Sequence, residues 1–178
     1  MSQLSKKIIK WQRKFGRNNL PWQINTNPYK VWISEIMLQQ TQVKTVIPYF
    51  EKFMNRYPNI ESLADSTEDE VLSYWSGLGY YSRGRNVLKS AKIIKKEFNS
   101  SMPSDSDSLE SLPGIGKSTA GAILSLGFKK RAAILDGNAK RVLVRYFKVE
   151  EVIDSNRTVK KLWQIAEEQL PKKDNDVY

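Results

Sequence analysis

Residues 109–123 read LESLPGIGKSTAGAI, and few backbones accommodate such a run. Pro113 with glycines at 114 and 116 interrupts any helix, whereas Leu109 and Leu112 before them and Thr119-Ala120-Gly121 after them continue one. The segment therefore predicts two helices joined by a tight hairpin. The leucines anchor the incoming helix, and the small side chains let the two helices pack closely under the loop. Gly114 and Gly116 allow positive φ and leave N–H groups uncovered at a helix N-terminus, where the dipole favours an anion. A bare PGxG is an ordinary αα turn. The flanking leucines and small residues favour a loop that grips a sugar-phosphate backbone without reading base sequence. Asp136, twenty positions after Gly116 in LDGN, is a carboxylate expected to be buried near this loop.

Helical spacing extends over the rest of the chain. Ile8, Trp11 and Phe15 form one stripe, and Val87, Ala91, Ile94 and Phe98 another. Ala139, Val142, Leu143, Tyr146 and Phe147 repeat the pattern, as do Val159, Leu162, Trp163, Ala166 and Leu170. Thr67 with Glu70 makes a capping box, and Ser155 or Asn156 opens the last helix. Pro58, Gly77, Gly79 and Pro103 mark turns, and the polar stretch 99–108 reads as a surface connection between two helical groups. No segment alternates with a period of two, there is no internal repeat, and no long linker interrupts the chain. The expected fold class is all-α.

Composition narrows the chemistry. The 178 residues contain neither Cys nor His, which removes disulfides, thiolate catalysis, Ser-His-Asp triads and the usual zinc sites. Any catalysis must use carboxylates, lysines, hydroxyls or a carboxylate-bound hard metal, and no metal site is predicted. The net charge of +10 suits a polyanionic partner, although a basic protein without one has the same balance. Arg83, Arg85, Lys89, Lys92, Lys95 and Lys96 give six positive charges with no acid between them, and residues 129–148 add seven more against Asp136 alone. No apolar run is long enough to span a bilayer and the first residues lack the apolar core of a leader, so no membrane association is expected, and a cytoplasmic, nucleoid-associated location is.

Five blocks in order carry a resemblance: LPWQ (20–23), PYKVWISEIMLQQTQVKTVIPYFEKF (28–53), GLGYYSRGRN (77–86), LPGIGKSTAGAILSL (112–126) and ILDGNAKRV (134–142). Together they resemble the helix-hairpin-helix DNA glycosylase superfamily, and within it the MutY-type adenine DNA glycosylases, over essentially all of residues 8–170. The resemblance implies a two-lobed helical fold with the active site between the lobes. A central lobe from 25 to 130 would carry Glu35 and the hairpin, and residues 1–24 with 131–178 would form a second lobe. It also implies removal of adenine mispaired with 8-oxoguanine or guanine in double-stranded DNA, by a monomer.

Glu35 lies in the apolar stretch VWISEIMLQQT, where a carboxylate is costly unless paired, hydrogen-bonded or protonated. On residue chemistry alone, the plainer role is a solvated glutamate on an outer helix face. The resemblance implies instead the general acid that protonates N7 of the extruded adenine, helped by burial between Trp32, Ile36 and Leu38 that raises its pKa. Asp136 reads locally as an N-cap, and the resemblance makes it the carboxylate that stabilises an oxocarbenium-like sugar. Asn138 would orient a carboxylate or water. Gln39, Gln40, Tyr80 and Tyr81 resemble the residues that fill the gap left by a flipped base, with Gln40 and Tyr80 as the wedges. Arg83 and the hairpin residues Leu112, Gly114, Gly116, Lys117 and Ser118 complete the expected DNA-binding set.

Ser118 stands where relatives similar to endonuclease III place a Schiff-base lysine, so a monofunctional glycosylase is expected over a glycosylase/lyase. The neighbouring Lys117 points about 100° away on a helix and is expected to meet phosphate. The resembling family also carries a four-cysteine loop holding a 4Fe–4S cluster and a separate domain that recognises 8-oxoguanine. These 178 residues contain no cysteine and stop before either feature, so the second lobe is expected to be incomplete and no cofactor is expected. A non-catalytic DNA-binding remnant is the alternative function.

Overall fold

The computed structural model describes residues 2–172, and among these every regular element is helical. In chain order they are α1 (Gln3–Phe15), a 3₁₀ turn (Pro21–Gln23), α2 (Pro28–Leu38), α3 (Val43–Arg56), α4 (Ile60–Ala64), α5 (Glu68–Trp75) and α6 (Tyr81–Glu97). After α7 (Ser106–Glu110) and α8 (Lys117–Ala122) comes a π-helical turn (Ile123–Gly127), then α9 (Gly137–Phe147) and α10 (Asn156–Gln169).

Side-chain caps place most of the starts. Asn27 accepts a hydrogen bond from the Lys30 N–H at 2.8 Å, with Pro28 in the first turn where its missing N–H costs nothing. Thr67 and Glu70 form the expected capping box, Asp105 caps α7, and Ser155 rather than Asn156 caps α10.

The α2 helix is the axis of the larger core. Tyr29, Val31, Trp32, Ile33, Ser34, Ile36 and Met37 are all buried, so α2 is enclosed on nearly its whole circumference by α3, α6, α8 and the π-helical turn. Phe50, Phe53, Leu63, Trp75, Val87, Ile94, Leu109, Leu112 and Ile123 fill the space around it. A separate, smaller cluster joins Leu4 on α1 to Leu135, Leu143, Val149, Leu162 and Ala166.

Two of the helical stripes are only partly covered. Trp11 and Phe15 are 58% and 60% exposed, and Val142, Tyr146 and Phe147 on α9 are also exposed. Spacing reports that residues share a helix face and says nothing about what covers it. Here the smaller cluster engages Leu4 and Leu143, with Ile8 and Ala139 partly buried against it, and leaves Trp11, Phe15, Val142, Tyr146 and Phe147 exposed.

The hairpin between α7 and α8 is held from beneath. Leu109, Leu112 and Ile115 are buried, and the Ser90 hydroxyl of α6 donates to the Pro113 carbonyl at 2.9 Å. Gly114 has φ +82°, as expected, and a Cβ there would come within 3.1 Å of Asn86. Gly116 does not require positive φ: it is an extended N-cap with φ −98°. Close packing is most acute at Gly121, where a Cβ would lie 2.0 Å from the Ala133 carbonyl oxygen. That contact is with the segment leading to Asp136 rather than with the other helix of the hairpin.

Candidate active site

Because α2 is wrapped on almost every side, Glu35 has a half-buried position where the wrapping opens. It lies on the walls of two cavities. One, of about 370 Å³, is lined by Ile8, Ser125, Ile134, Ala139, Leu143 and Asp136. The other, of about 440 Å³, is lined by Gln12, Trp22, Thr26, Ser34 and Leu126. Burial, reinforced by the negative charge of Asp136, pushes the Glu35 carboxyl up from 4.5 to about 7.

Asp136 is exposed, contrary to the sequence expectation, because the N-cap position holds it outside the first turn of α9. One of its oxygens accepts from the Ala139 N–H at 2.8 Å, and the other accepts from the Asn138 amide at 3.2 Å. Arg141 in turn donates to the Asn138 side-chain oxygen Oδ1. The carboxylate is therefore fixed by its own helix start while it faces the cavity that Glu35 borders. One group that readily holds a proton and one fixed carboxylate on the same cavity are the arrangement that glycoside hydrolysis divides between acid and stabiliser.

The expected DNA-binding residues separate into three groups. Gln39, Gln40, Tyr80 and Tyr81 are exposed, with Gln40 and Tyr80 both at positive φ (57° and 51°). Gly114 and Gly116 are exposed and Ser118 is half-buried, whereas the Leu112 side chain is only 2% exposed and serves as an anchor under the loop. Arg83 is a correction. Its guanidinium is buried and donates to the carbonyls of Ile36, Met37 and Gln39, so it is spent on the end of α2 rather than offered to a phosphate. Sequence gave no sign of this, because arginine is ordinarily a surface residue.

Several other cations are also engaged internally. Arg85 pairs with Glu68 at 2.8 Å, Lys95 with Asp65, and Lys140 with Asp154 at 3.4 Å. Lys117 lies 3.3 Å from Glu167 and 4.2 Å over the Trp163 ring, which turns it toward α10. Arg131 donates to the Glu167 and Leu170 carbonyls and so caps the end of α10.

The cluster that the sequence resemblance implies needs thiolate ligands, and the chain has no cysteine. Among the described residues no three His, Cys, Asp or Glu side chains gather to hold a metal ion. These residues therefore do not fit the cluster. No helix of the described residues is long and apolar enough to cross a membrane.

The fold and cleft define an all-helical hairpin protein with two carboxylates on one inter-helical cavity. The chain belongs to the HhH-GPD superfamily of base excision DNA repair proteins, whose family model matches residues 33–168. An adenine DNA glycosylase of Buchnera aphidicola subsp. Baizongia pistaciae is 57% identical over 164 residues, 92% of this chain and 46% of that protein. The chain thus spans about half the length of such relatives. A thymine/uracil-DNA glycosylase of Pyrobaculum aerophilum is 33% identical over 166 residues, 93% of this chain and 72% of that protein. A solved thermostable thymine-DNA glycosylase superposes with a TM-score of 0.88 at 27% identity, covering 98% of this chain and 80% of its own.

Proposed function

We propose that these residues form the catalytic part of a monofunctional adenine DNA glycosylase, which hydrolyses the N-glycosidic bond of adenine opposite 8-oxoguanine or guanine in duplex DNA. The observation that carries this reading is Glu35: a carboxyl with a pKa of about 7, on the wall of the cavity that Asp136 faces. Similarity to proteins named adenine DNA glycosylases supports adenine as the base.

In this reading Glu35, protonated near neutrality, donates its proton to N7 of an adenine extruded beside Trp22, and the C1′–N9 bond breaks with adenine leaving neutral. Asp136, steadied by Asn138 and the Ala139 N–H, stabilises the positive charge that develops on the sugar. Water adds to C1′ to leave an abasic site, and its proton replaces the one Glu35 gave. The hairpin glycines bring main-chain N–H groups to the phosphates, and Gln40 and Tyr80 fill the vacated stack. Ser118 has no amine to form a Schiff base, and the Lys117 amine is directed to Glu167 and Trp163. The reaction therefore stops at the abasic site without strand cleavage.

The test is single-turnover release of adenine from a duplex carrying adenine opposite 8-oxoguanine, with alkali to reveal abasic sites and borohydride to trap any Schiff base. The expected result is release by the wild type, none by Glu35→Gln despite DNA binding, and no trapped adduct. Salt-sensitive binding without release by the wild type would establish a non-catalytic DNA-binding protein instead.

A further inference from the structure

The two turns that bear the proposed wedges are each strained at one residue. Gln40 has φ +57° and Tyr80 φ +51°. Left-handed backbone is unfavourable for a residue with a Cβ, so the surroundings must over-determine both conformations. Arg83 lies between them and is 9% exposed. Its Nη1 donates to the carbonyl oxygens of Ile36 at 2.9 Å, Met37 at 3.0 Å and Gln39, acceptors at the end of α2 where the helix supplies no N–H donor. Its Nη2 donates to the Gly79 carbonyl at 3.1 Å and to the Thr41 hydroxyl at 3.3 Å. Gln39 and Gly79 are the residues immediately before the two left-handed ones.

The same guanidinium stacks 5.3 Å from the Tyr80 ring, and the Trp75 indole N–H also donates to the Gly79 carbonyl at 3.3 Å. The positive charge of Arg83 is thus met by carbonyl oxygens at the negative end of α2 and by aromatic faces.

We infer that Arg83 is a positioning residue: a single buried guanidinium ties the Gln39–Gln40 turn to the Gly79–Tyr80 turn, so that both wedge side chains meet the DNA stack at one fixed separation. It does not itself touch DNA. A lysine could serve one turn but lacks the planar fork needed to reach both. This inference rests on the glycosylase reading for its consequence in DNA, although the coupling of the two turns is a property of the protein alone.

Two measurements on Arg83→Met and Arg83→Lys test it. The first is amide hydrogen exchange in the free protein: Arg83→Met speeds exchange in residues 39–42 and 77–81 together while the hairpin at 112–117 is unchanged. Faster exchange confined to one turn, or in neither, overturns the inference whatever the activity. The second is single-turnover adenine release from two DNAs, one with adenine opposite 8-oxoguanine and one with adenine unpaired in a bulge, where extrusion costs less. Arg83→Met is expected to slow the paired substrate by about 100-fold, the cost of a small misplacement of positioning groups, and the bulge by much less. Arg83→Lys falls between and carries the test if the methionine variant does not fold. Equal loss on both DNAs overturns the inference, whereas a wild type inactive on both overturns the glycosylase reading and leaves the exchange result to decide the coupling.

Discussion

Replacing Glu35 by glutamine should make the folded protein more stable, and increasingly so as the pH rises. The Glu35 carboxyl is raised from 4.5 to about 7 in the folded state, chiefly by burial and further by Asp136. Between those values the folded chain holds a proton that the unfolded chain has released, so stability is fully present below about pH 4.5 and is lost as the pH climbs through 7. At about 1.4 kcal/mol for each tenfold difference in proton affinity, the loss approaches about 3 kcal/mol by pH 8. Because Glu35 borders two open cavities, screening makes this an upper value. Glutamine keeps the shape and does not titrate. Urea unfolding of both proteins from pH 4.5 to 8 should therefore show the variant gaining on the wild type by up to about 3 kcal/mol across the range, with other titrating groups cancelling. Parallel profiles, or a gap that widens toward acid, would refute the burial of a protonated carboxyl.

Other substitutions separate roles that sequence leaves merged. Asp136→Asn keeps a competent N-cap, so its urea midpoint should correspond to a change within about 0.5 kcal/mol, whereas adenine release is lost; Asp136→Ala should cost about 1 kcal/mol in addition. Removing the Asp136 charge should also lower the Glu35 pKa, which titration followed by NMR of the side-chain carboxyl would detect. Gly114→Ala meets Asn86 at positive φ and should destabilise by about 1 kcal/mol or more while weakening DNA binding, whereas Gly116→Ala, in open space at negative φ, should fold normally. Leu162→Ala, at a fully buried site, should cost about 2–5 kcal/mol, against about 0.5 kcal/mol or less for the exposed Trp11→Gln, as measured by thermal unfolding.

What was legible in the residues is mostly local. Caps at Thr67, Asp136 and Ser155 and the turn at Gly114 follow from short-range chemistry, and the structure contains them. The all-helical class follows from spacing alone. What a face meets is a matter of tertiary packing, so the spacing that puts Trp11 with Phe15, and Val142 with Tyr146, on one helix face gave the helices correctly and did not reveal that these side chains stay exposed. Arg83 was misassigned for a related reason: nothing in GLGYYSRGRN reveals that three carbonyls at the end of α2 converge on one of its arginines. Glu35 lay between these cases: its apolar neighbours in VWISEIM made a charged carboxylate costly but left a solvated outer face as the plainer reading, the family resemblance favoured the buried acid, and burial is the chief cause of its raised pKa.

The most direct test of a protonated Glu35 acting beside a fixed Asp136 is the pH dependence of the second-order rate of single-turnover adenine release, measured with enzyme in excess of DNA but well below saturation, where the free protein's ionisation is reported. The rate should hold on the acid side and fall about tenfold per pH unit above an apparent pKa near 7, as Glu35 gives up its proton before substrate arrives. A rate that is flat through neutrality, or rises with pH, would contradict Glu35 as the acid.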